Sequence, residues 1–281
     1  MWKNILSVLE TELETPKPYG IYHMGWVVAT IVVIIYLVSI RKKHNEKQLK
    51  YVLGTYGVIA LILEALKQLI WSVEYDNLTN TFILDYQWYA FPFQLCTMPI
   101  YVCLMCLFLR KSKVRNSMLS FVAYTTILGS IASAIIPHDL FVSDVLINIH
   151  AMWLHLGSLV VSIYLLASKE VKINIQSLLN GLKVFLIAAI IANALNIIVY
   201  NSGVLNGETF NMFYISPYFE SSLPVFNNIY NMVPYLVFVV IYIIALSLGS
   251  YLVFSIATVI NRIKIVKKIQ NNSIKNHKEN I

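Results

Sequence analysis

Long apolar stretches separated by short polar connections dominate this chain of 281 residues. A helix that crosses the hydrocarbon core of a bilayer, roughly 30 Å thick, needs about 20 mostly apolar residues. Stretches of that kind occupy residues 21–40, 50–72, 90–109, 116–136, 143–167, 181–200 and 230–261. The pattern predicts an all-α, polytopic membrane protein in the form of a seven-transmembrane-helix bundle.

The connections between these stretches alternate in charge. The first, third and fifth connections and the tail are basic, whereas the second, fourth and sixth contain neither lysine nor arginine. Basic loops lie on the cytoplasmic side of a membrane. We therefore expect an extracellular N-terminal segment at residues 1–20, a transmembrane domain at 21–262 and a basic cytoplasmic tail at 263–281.

The composition supports a membrane protein and argues against nucleic-acid binding. Charged residues make up 12% of the chain, against about 25% in soluble domains. The net charge of +7 resides mostly in the loops and the tail, as expected of a protein that lies in the cell membrane with lipids as partners. The first twenty residues lack the apolar run of a cleavable signal peptide. Three cysteines in one apolar stretch do not indicate disulfides.

Polar residues interrupt the apolar stretches at similar depths. Ionisable groups inside a bilayer are costly, so each one is a candidate functional residue. With a helical rise of about 1.5 Å per residue, most candidates fall in the outer half of the membrane, and His155 falls nearer the middle. The candidates are His23, Glu64, Lys67, Gln68, Cys96, His150, His155, Asn193 and Asn196.

Several candidates share a helix face. Glu64, Lys67 and Gln68 lie three or four residues apart, as do Asn193 and Asn196. Glu64 and Lys67 can form an ion pair that joins helices or one that orients a substrate head group. The two asparagines can bind substrate or form hydrogen bonds between helices.

Two histidines occur on the fifth apolar stretch. His150 lies about 140° around an ideal helix from His155. We therefore do not expect these two residues to serve the same site directly.

Cys96 lies where polar residues and Pro99 loosen the start of the third apolar stretch. A cysteine in a membrane span commonly acts as a small apolar side chain, and this interpretation applies more strongly to Cys103 and Cys106. A reactive thiolate needs a base or a cation nearby. His155 is the candidate base, and Gln94, like Glu64, Lys67 and Gln68, is a candidate substrate-binding residue.

Short motifs over about residues 20–260 resemble those of the YwaF-type bacterial integral membrane proteins, a family related to the eukaryotic transmembrane protein 164 family. The matching motifs are His23, Glu64 with Trp71, Phe93-Gln94-Leu95-Cys96, Ile135-Ile136-Pro137, His155-Leu156-Gly157, and Asn211-Met212-Phe213-Tyr214 with Pro217. The eukaryotic relatives are implicated in acyl transfer to lysophospholipids through a cysteine with a histidine partner. The resemblance implies Cys96 as nucleophile and His155 as base, and it adds Asn211 and Tyr214 to the candidate substrate-binding residues.

The favoured hypothesis is a lipid acyltransferase or acyl hydrolase. Cys96 would attack an acyl ester, His155 would move protons, and Asn193 or a tyrosine would stabilise the oxyanion. A small-molecule transporter or binding protein could use the same outer-half cavity.

A third hypothesis is a metal-dependent hydrolase that uses His138, Asp139, His150 and His155. The chain has no HxxxH or HExxH spacing. We expect neither a metal nor another cofactor.

Overall fold

The computed structural model describes residues 7–76, 78–137 and 140–279, with 264–279 described by their backbone alone. Within these residues the main helices are α1 (Ile21–Lys43), α2 (Glu46–Ser72), α3 (Met98–Phe108), α4 (Lys113–Ile135), α5 (Val145–Ala167), α6 (Ile175–Asn201), α7 (Pro224–Met232) and α8 (Tyr235–Glu279). In the described part of the chain, α1, α2, α4, α5, α6 and the Tyr235–Ile263 part of α8 are long and apolar enough to cross a membrane. The prediction of a mostly helical, multi-pass membrane protein is therefore confirmed.

The third predicted span contains a short helix with an irregular start. Only the 11 residues of α3 are helical there, and residues 91–97 form turns. Pro92 lacks a backbone N–H and restricts the residue before it, which disfavours an earlier helix start. The hydroxyl group of Thr97 accepts a hydrogen bond from the Gln94 amide at 3.0 Å and holds the turn closed.

A small β-hairpin follows α2, where the sequence predicted only a loop. Strand β1 (Val73–Asp76) pairs antiparallel with β2 (Thr81–Leu84). The Asp76 carboxylate accepts hydrogen bonds from the Leu78 amide at 2.8 Å and the Thr79 hydroxyl at 2.6 Å, and these bonds stabilise the turn. Four-residue strands are too short to give a clear alternation in the sequence.

The two ends of the helical bundle differ in charge. The acidic end carries residues 7–20, 73–97, 140–144 and 202–234, and the basic end carries 40–46, 109–113 and 168–175. At the acidic end the Leu13 amide donates to the Ser143 carbonyl at 2.9 Å, and the Trp88 amide donates to Glu208 at 2.7 Å. These bonds link connections that are distant in sequence.

Connections at the basic end contact one another as well. His44 Nε2 lies 3.0 Å from Glu170 Oε2, and the buried Arg115 pairs with Glu46 at 2.7 Å. The backbone of α8 continues as a helix beyond the span, through residues for which the sequence predicted a basic tail.

Close packing between α4 and α6 builds part of the core. A Cβ atom on Gly181 of α6 would lie 2.8 Å from the Ser120 carbonyl carbon and 2.9 Å from the Phe121 amide of α4. Only glycine permits this approach of two backbones, which in membranes is a main source of helix association. Both α4 and α5 contain a π-helical turn, at Val122–Thr126 and Trp153–Gly157.

The long connection between α6 and α8 folds into the bundle. Phe210, Met212 and Phe213 are fully buried, and Ile215 is nearly so. A long connection of this kind is either a simple connector or a lid over a binding site. Its burial against the irregular start of α3 makes it part of the packed structure around the candidate site.

Candidate functional site

A buried polar cluster joins α2 to α5 toward the acidic end. Glu64 Oε1 lies 2.6 Å from Lys67 Nζ, and Glu64 Oε2 lies 2.8 Å from His150 Nε2. The side chain of Gln68 donates to Glu64 at 2.9 Å and to the Ala90 carbonyl at 2.7 Å. The helical spacing of Glu64, Lys67 and Gln68 thus brings them together as predicted. The Glu64 carboxylate contacts three side chains, those of Lys67, Gln68 and His150.

His150 is a member of this cluster that the sequence reasoning did not assign to it. Its predicted depth matched that of Glu64, and this was the signal that could have identified it. The angular argument relied on an ideal α-helix, but a π turn accommodates one more residue than an α turn. The π turn at Trp153–Gly157 changes the angle between the two histidines, and His155 lies within electrostatic range of His150.

Cys96 borders the same cluster. Its side chain is half-buried, whereas Cys103 and Cys106 are fully buried. The thiol lies within electrostatic range of Lys67 and Glu64. Arg115 lies within the same kind of range of Cys106, so partial exposure is what distinguishes Cys96 from the other two cysteines.

Tyrosine side chains complete the surroundings of the thiol. Tyr214, a predicted site residue, lies within electrostatic range of Cys96, as do Tyr56 and Tyr242. Tyr56 comes from α2 and Tyr242 from α8, so three distant parts of the chain meet here. No feature of the sequence distinguishes Tyr242, because a tyrosine on an apolar helix resembles any other core residue.

His155 lies in the π turn of α5, and its side chain is partly exposed. Among the described residues, its ring and the Cys96 thiol do not form a hydrogen bond with each other. The backbone beside it is tied to α2, since the Tyr56 hydroxyl donates to the Leu154 carbonyl at 3.2 Å. Gly157 packs against the same tyrosine ring, which a Cβ atom would approach to 2.9 Å.

The connection before α7 is fastened to the start of α3 by Gln94. Its side-chain amide donates to the Asn211 carbonyl at 2.9 Å and accepts from the Phe213 amide at 2.8 Å. Asn196 on α6 makes the same type of paired contact with the backbone of Met212, at 3.0 and 2.7 Å. Both predicted site residues therefore hold the connection in position beside Cys96.

The other predicted polar residues also bind protein groups. Asn193 accepts a hydrogen bond from the Tyr235 hydroxyl at 2.6 Å. The Asn211 side chain donates to the Glu220 carbonyl at 2.9 Å and accepts from the Ser216 amide at 2.8 Å. The contact of Asn193 with Tyr235 on α8 matches the interhelical role that the sequence left open for Asn193 and Asn196.

The backbone of the same connection is strained at two consecutive residues. Phe213 has φ 57° and Tyr214 has φ 59°, in the left-handed region that bulky side chains rarely adopt. Such conformations persist only where surrounding contacts impose them, and they concentrate at functional sites. The bonds from Gln94 to Phe213 and from Asn196 to Met212 supply contacts of this kind.

His23 lies apart from the cluster. It is buried near Phe141, and its Nδ1 atom accepts a hydrogen bond from the Tyr19 amide at 3.3 Å. The sequence depth alone had grouped it with the other candidates, and the structure does not join it to them.

The metal hypothesis has no support in the described part of the chain, which holds no group of three or more histidine, cysteine, aspartate or glutamate side chains suited to bind an ion. His138 and Asp139 lie outside the described residues. His150 is instead in contact with Glu64.

Comparison with known proteins identifies one family. No curated protein and no solved structure matches the chain. The profile of the TMEM164 family matches residues 18–257, a segment that contains all the predicted site residues. The chain therefore belongs to the TMEM164 family.

Proposed function

We propose that this protein is a membrane-embedded lipid acyltransferase or acyl hydrolase with Cys96 as its nucleophile and His155 as its base. One observation carries the proposal. Cys96 is the partly exposed cysteine at the irregular start of α3, and it lies within electrostatic range of Lys67 and Glu64 in the buried cluster that also contains His150. This combination of access and a nearby cation is what thiol chemistry requires.

The reaction proceeds in two transfers. The Cys96 sulfur attacks the carbonyl carbon of a lipid acyl ester, its proton passes to His155, and the departing alkoxide takes that proton as the carbon–oxygen bond breaks. A thioester on Cys96 and a lysolipid result. A hydroxyl group of an acceptor lipid, or water in the hydrolase, then gives its proton to His155 and attacks the thioester, which releases the Cys96 thiol.

The neighbouring residues support these steps. Lys67 lies within electrostatic range of the Cys96 thiol, and Glu64 Oε1 holds Lys67 Nζ in place at 2.6 Å. Tyr214, which lies within electrostatic range of Cys96, is the proposed donor of a hydrogen bond to the oxyanion. Gln94, Asn196 and Asn211 position the connection that carries Tyr214, and Gln68 and Asn193 are proposed to contact the substrate.

The same proposal includes seven membrane crossings, with the N-terminus outside the cell membrane and the C-terminus in the cytoplasm. The charge difference between the acidic and basic ends supports this orientation. Residues 88–97 and 202–216 meet at the acidic end, which supports counting the short α3 and its irregular start as one crossing. The quoted motifs further support membership in the YwaF-type bacterial group.

The test uses purified protein, a phospholipid with a labelled acyl chain and a lysophospholipid acceptor. We expect a labelled thioester on Cys96 that hydroxylamine removes, and loss of transfer in Cys96→Ala. Cys106→Ala is the matched control and should keep its activity. Full activity in folded Cys96→Ala protein would overturn the proposal, and solute uptake into vesicles that survives this substitution would favour the transporter.

The two histidines can be separated in the same assay. His155→Gln should abolish thioester formation if His155 is the base. His150→Gln should lower the rate less, because His150 contacts Glu64 and acts on the thiol only through the cluster. The reverse order would assign the base to His150 and leave the role of Cys96 intact.

A further inference from the structure

A cavity of about 650 Å³ opens between α1, α4, α5 and α8 near the basic end, far from Cys96. Its walls are apolar and include Ile127, Ile131, Ile163, Leu166, Val253 and Ile256. Ile131 and Ile256 are 38% and 53% exposed, so the cavity opens sideways between membrane-spanning helices. A cavity of this size falls in the range that holds small-molecule ligands, and its side opening faces the lipid phase.

The rim of this cavity is basic. Arg41 and Lys42 at the end of α1 and Lys169 after α5 all line it. In the part of the chain that the structure describes, none of the three forms an ion pair with a carboxylate. Arg41 instead donates to the Val38 carbonyl at 2.5 Å, which holds its guanidinium group beside the cavity.

The nearby carboxylates are already engaged. Glu170 lies 3.0 Å from His44, and Glu46 pairs with Arg115 at 2.7 Å and Lys111 at 3.5 Å. The positive charge of the rim is therefore not neutralised locally. A basic rim at this position would bind an anionic group that lies at the membrane surface.

We propose that this cavity binds one anionic phospholipid. The acyl chain lies along the apolar wall between α4 and α8, and the phosphate group contacts Arg41, Lys42 and Lys169. Two observations support the choice of ligand: the apolar part lies within membrane-spanning helices, and the unpaired cations lie where such a helix leaves the membrane. A free phosphate ion would use the rim alone and would not need the apolar wall.

This site is separate from the proposed acyl-transfer site. The cavity lies at the basic end, whereas Cys96 lies toward the acidic end at the start of α3. A bound lipid here would stabilise the bundle by holding α1, α5 and α8 together. The inference therefore holds whether or not Cys96 is a nucleophile.

The first experiment measures lipid affinity with purified protein in detergent, by native mass spectrometry and by the shift in thermal unfolding. Phosphatidylglycerol and phosphatidylcholine with identical acyl chains are compared. We expect phosphatidylglycerol to bind more tightly, and the double variant Arg41→Gln, Lys169→Gln to lose roughly thirtyfold in affinity, since each basic residue near a membrane surface contributes on the order of fivefold.

The matched control is Lys50→Gln, Lys113→Gln, which removes the same charge from exposed residues that do not line the cavity. Its affinity for phosphatidylglycerol should stay within about twofold of the original protein, because neither lysine contacts the proposed phosphate position. An equal loss in both double variants would show a general attraction to basic protein and would overturn the site.

A third variant tests the apolar wall. Ala257→Trp fills the cavity from α8 and should abolish retention of the phospholipid in detergent. Binding that persists in this variant, or competition by inorganic phosphate alone, would overturn the lipid assignment. If a variant fails to fold, the test uses the unmodified protein and a photoactivatable phosphatidylglycerol. Cross-links to α4, α5 or α8 around the cavity would support the proposal, and cross-links elsewhere would contradict it.

Discussion

Glu64 and His150 are in direct contact between α2 and α5, with 2.8 Å between Glu64 Oε2 and His150 Nε2. Because the other carboxylate oxygen holds Lys67 at 2.6 Å, one buried carboxylate compensates both nitrogen groups. Cys96 borders this cluster, so the contact that stabilises the bundle also sets the charge around the thiol.

Removing the Glu64 carboxylate should destabilise the protein strongly. Glu64→Leu leaves Lys67 and His150 buried without their partner, and breaking a buried pair in this way costs roughly 3–5 kcal/mol. The measurement is the free energy of unfolding in detergent. Gln68→Leu is the control: it removes two hydrogen bonds without leaving a buried charge, so its cost should be only about 1–2 kcal/mol. Equal effects of the two substitutions would contradict the central role of Glu64.

The sequence was sufficient to predict the part of this cluster that lies on one helix. Glu64, Lys67 and Gln68 are set by helical period alone, and the period predicts their shared face. His150 lies on another helix at the same predicted depth, and helical period does not show which face of α5 meets α2. The contact of Gln94 with Asn211 and Phe213 required the tertiary path of a long connection, which neither periodicity nor charge specifies.

The limits of the hydropathy pattern appear at α3. Hydropathy measures whether a segment is apolar, and residues 90–109 form an apolar segment. It does not measure whether the backbone can be helical throughout, and Pro92 with the Thr97 turn keeps residues 91–97 irregular. That irregular stretch holds Cys96, so the departure from a regular helix is also what gives the thiol its partial exposure.

Close packing at Gly181 gives a second test of the fold. Gly181→Ala would put a Cβ atom 2.8 Å from the backbone of Ser120 and force α6 away from α4. We expect a loss of roughly 1–3 kcal/mol in unfolding free energy, as for other overpacked cores. Gly129→Ala on α4 is the matched control, because a Cβ there meets nothing within 4 Å and should leave stability unchanged or slightly higher. A neutral Gly181→Ala would contradict the backbone contact.

Loosening the connection before α7 should expose Cys96. Gln94→Leu removes the hydrogen bonds to Asn211 and Phe213, each worth about 1 kcal/mol. We expect the rate of Cys96 labelling by a maleimide, followed by peptide mass spectrometry, to rise roughly thirtyfold, because the two bonds total about 2 kcal/mol and about 1.4 kcal/mol corresponds to a factor of ten.

Asn180→Leu serves as the control for this labelling experiment. Asn180 lies on α6 and contacts Gln176 at 2.9 Å, on the exposed surface. Its substitution should leave the labelling rate of Cys96 as it was. An unchanged rate in Gln94→Leu as well would mean that the connection does not limit access to the thiol.

The docking of the N-terminal segment should depend on pH through Glu10. Burial, together with the carboxylates of Asp144 and Glu74, raises the pKa of Glu10 above its usual value. The docked segment therefore binds the Glu10 proton more tightly than the released segment does. Docking is strongest below the usual pKa of a glutamate, weakens as pH rises through the raised pKa, and is constant above it.

Glu10→Gln should remove this pH dependence and strengthen docking at neutral pH, because it eliminates the repulsion from Asp144 and Glu74. The readout is hydrogen exchange at the Leu13 amide, which donates to Ser143 at 2.9 Å, corrected for the intrinsic effect of pH on exchange. We expect a several-fold gain in protection at neutral pH. Glu14→Gln, whose side chain is exposed beside Lys17, should show no gain. Equal protection in the two variants would mean that the Glu10 carboxylate does not oppose docking.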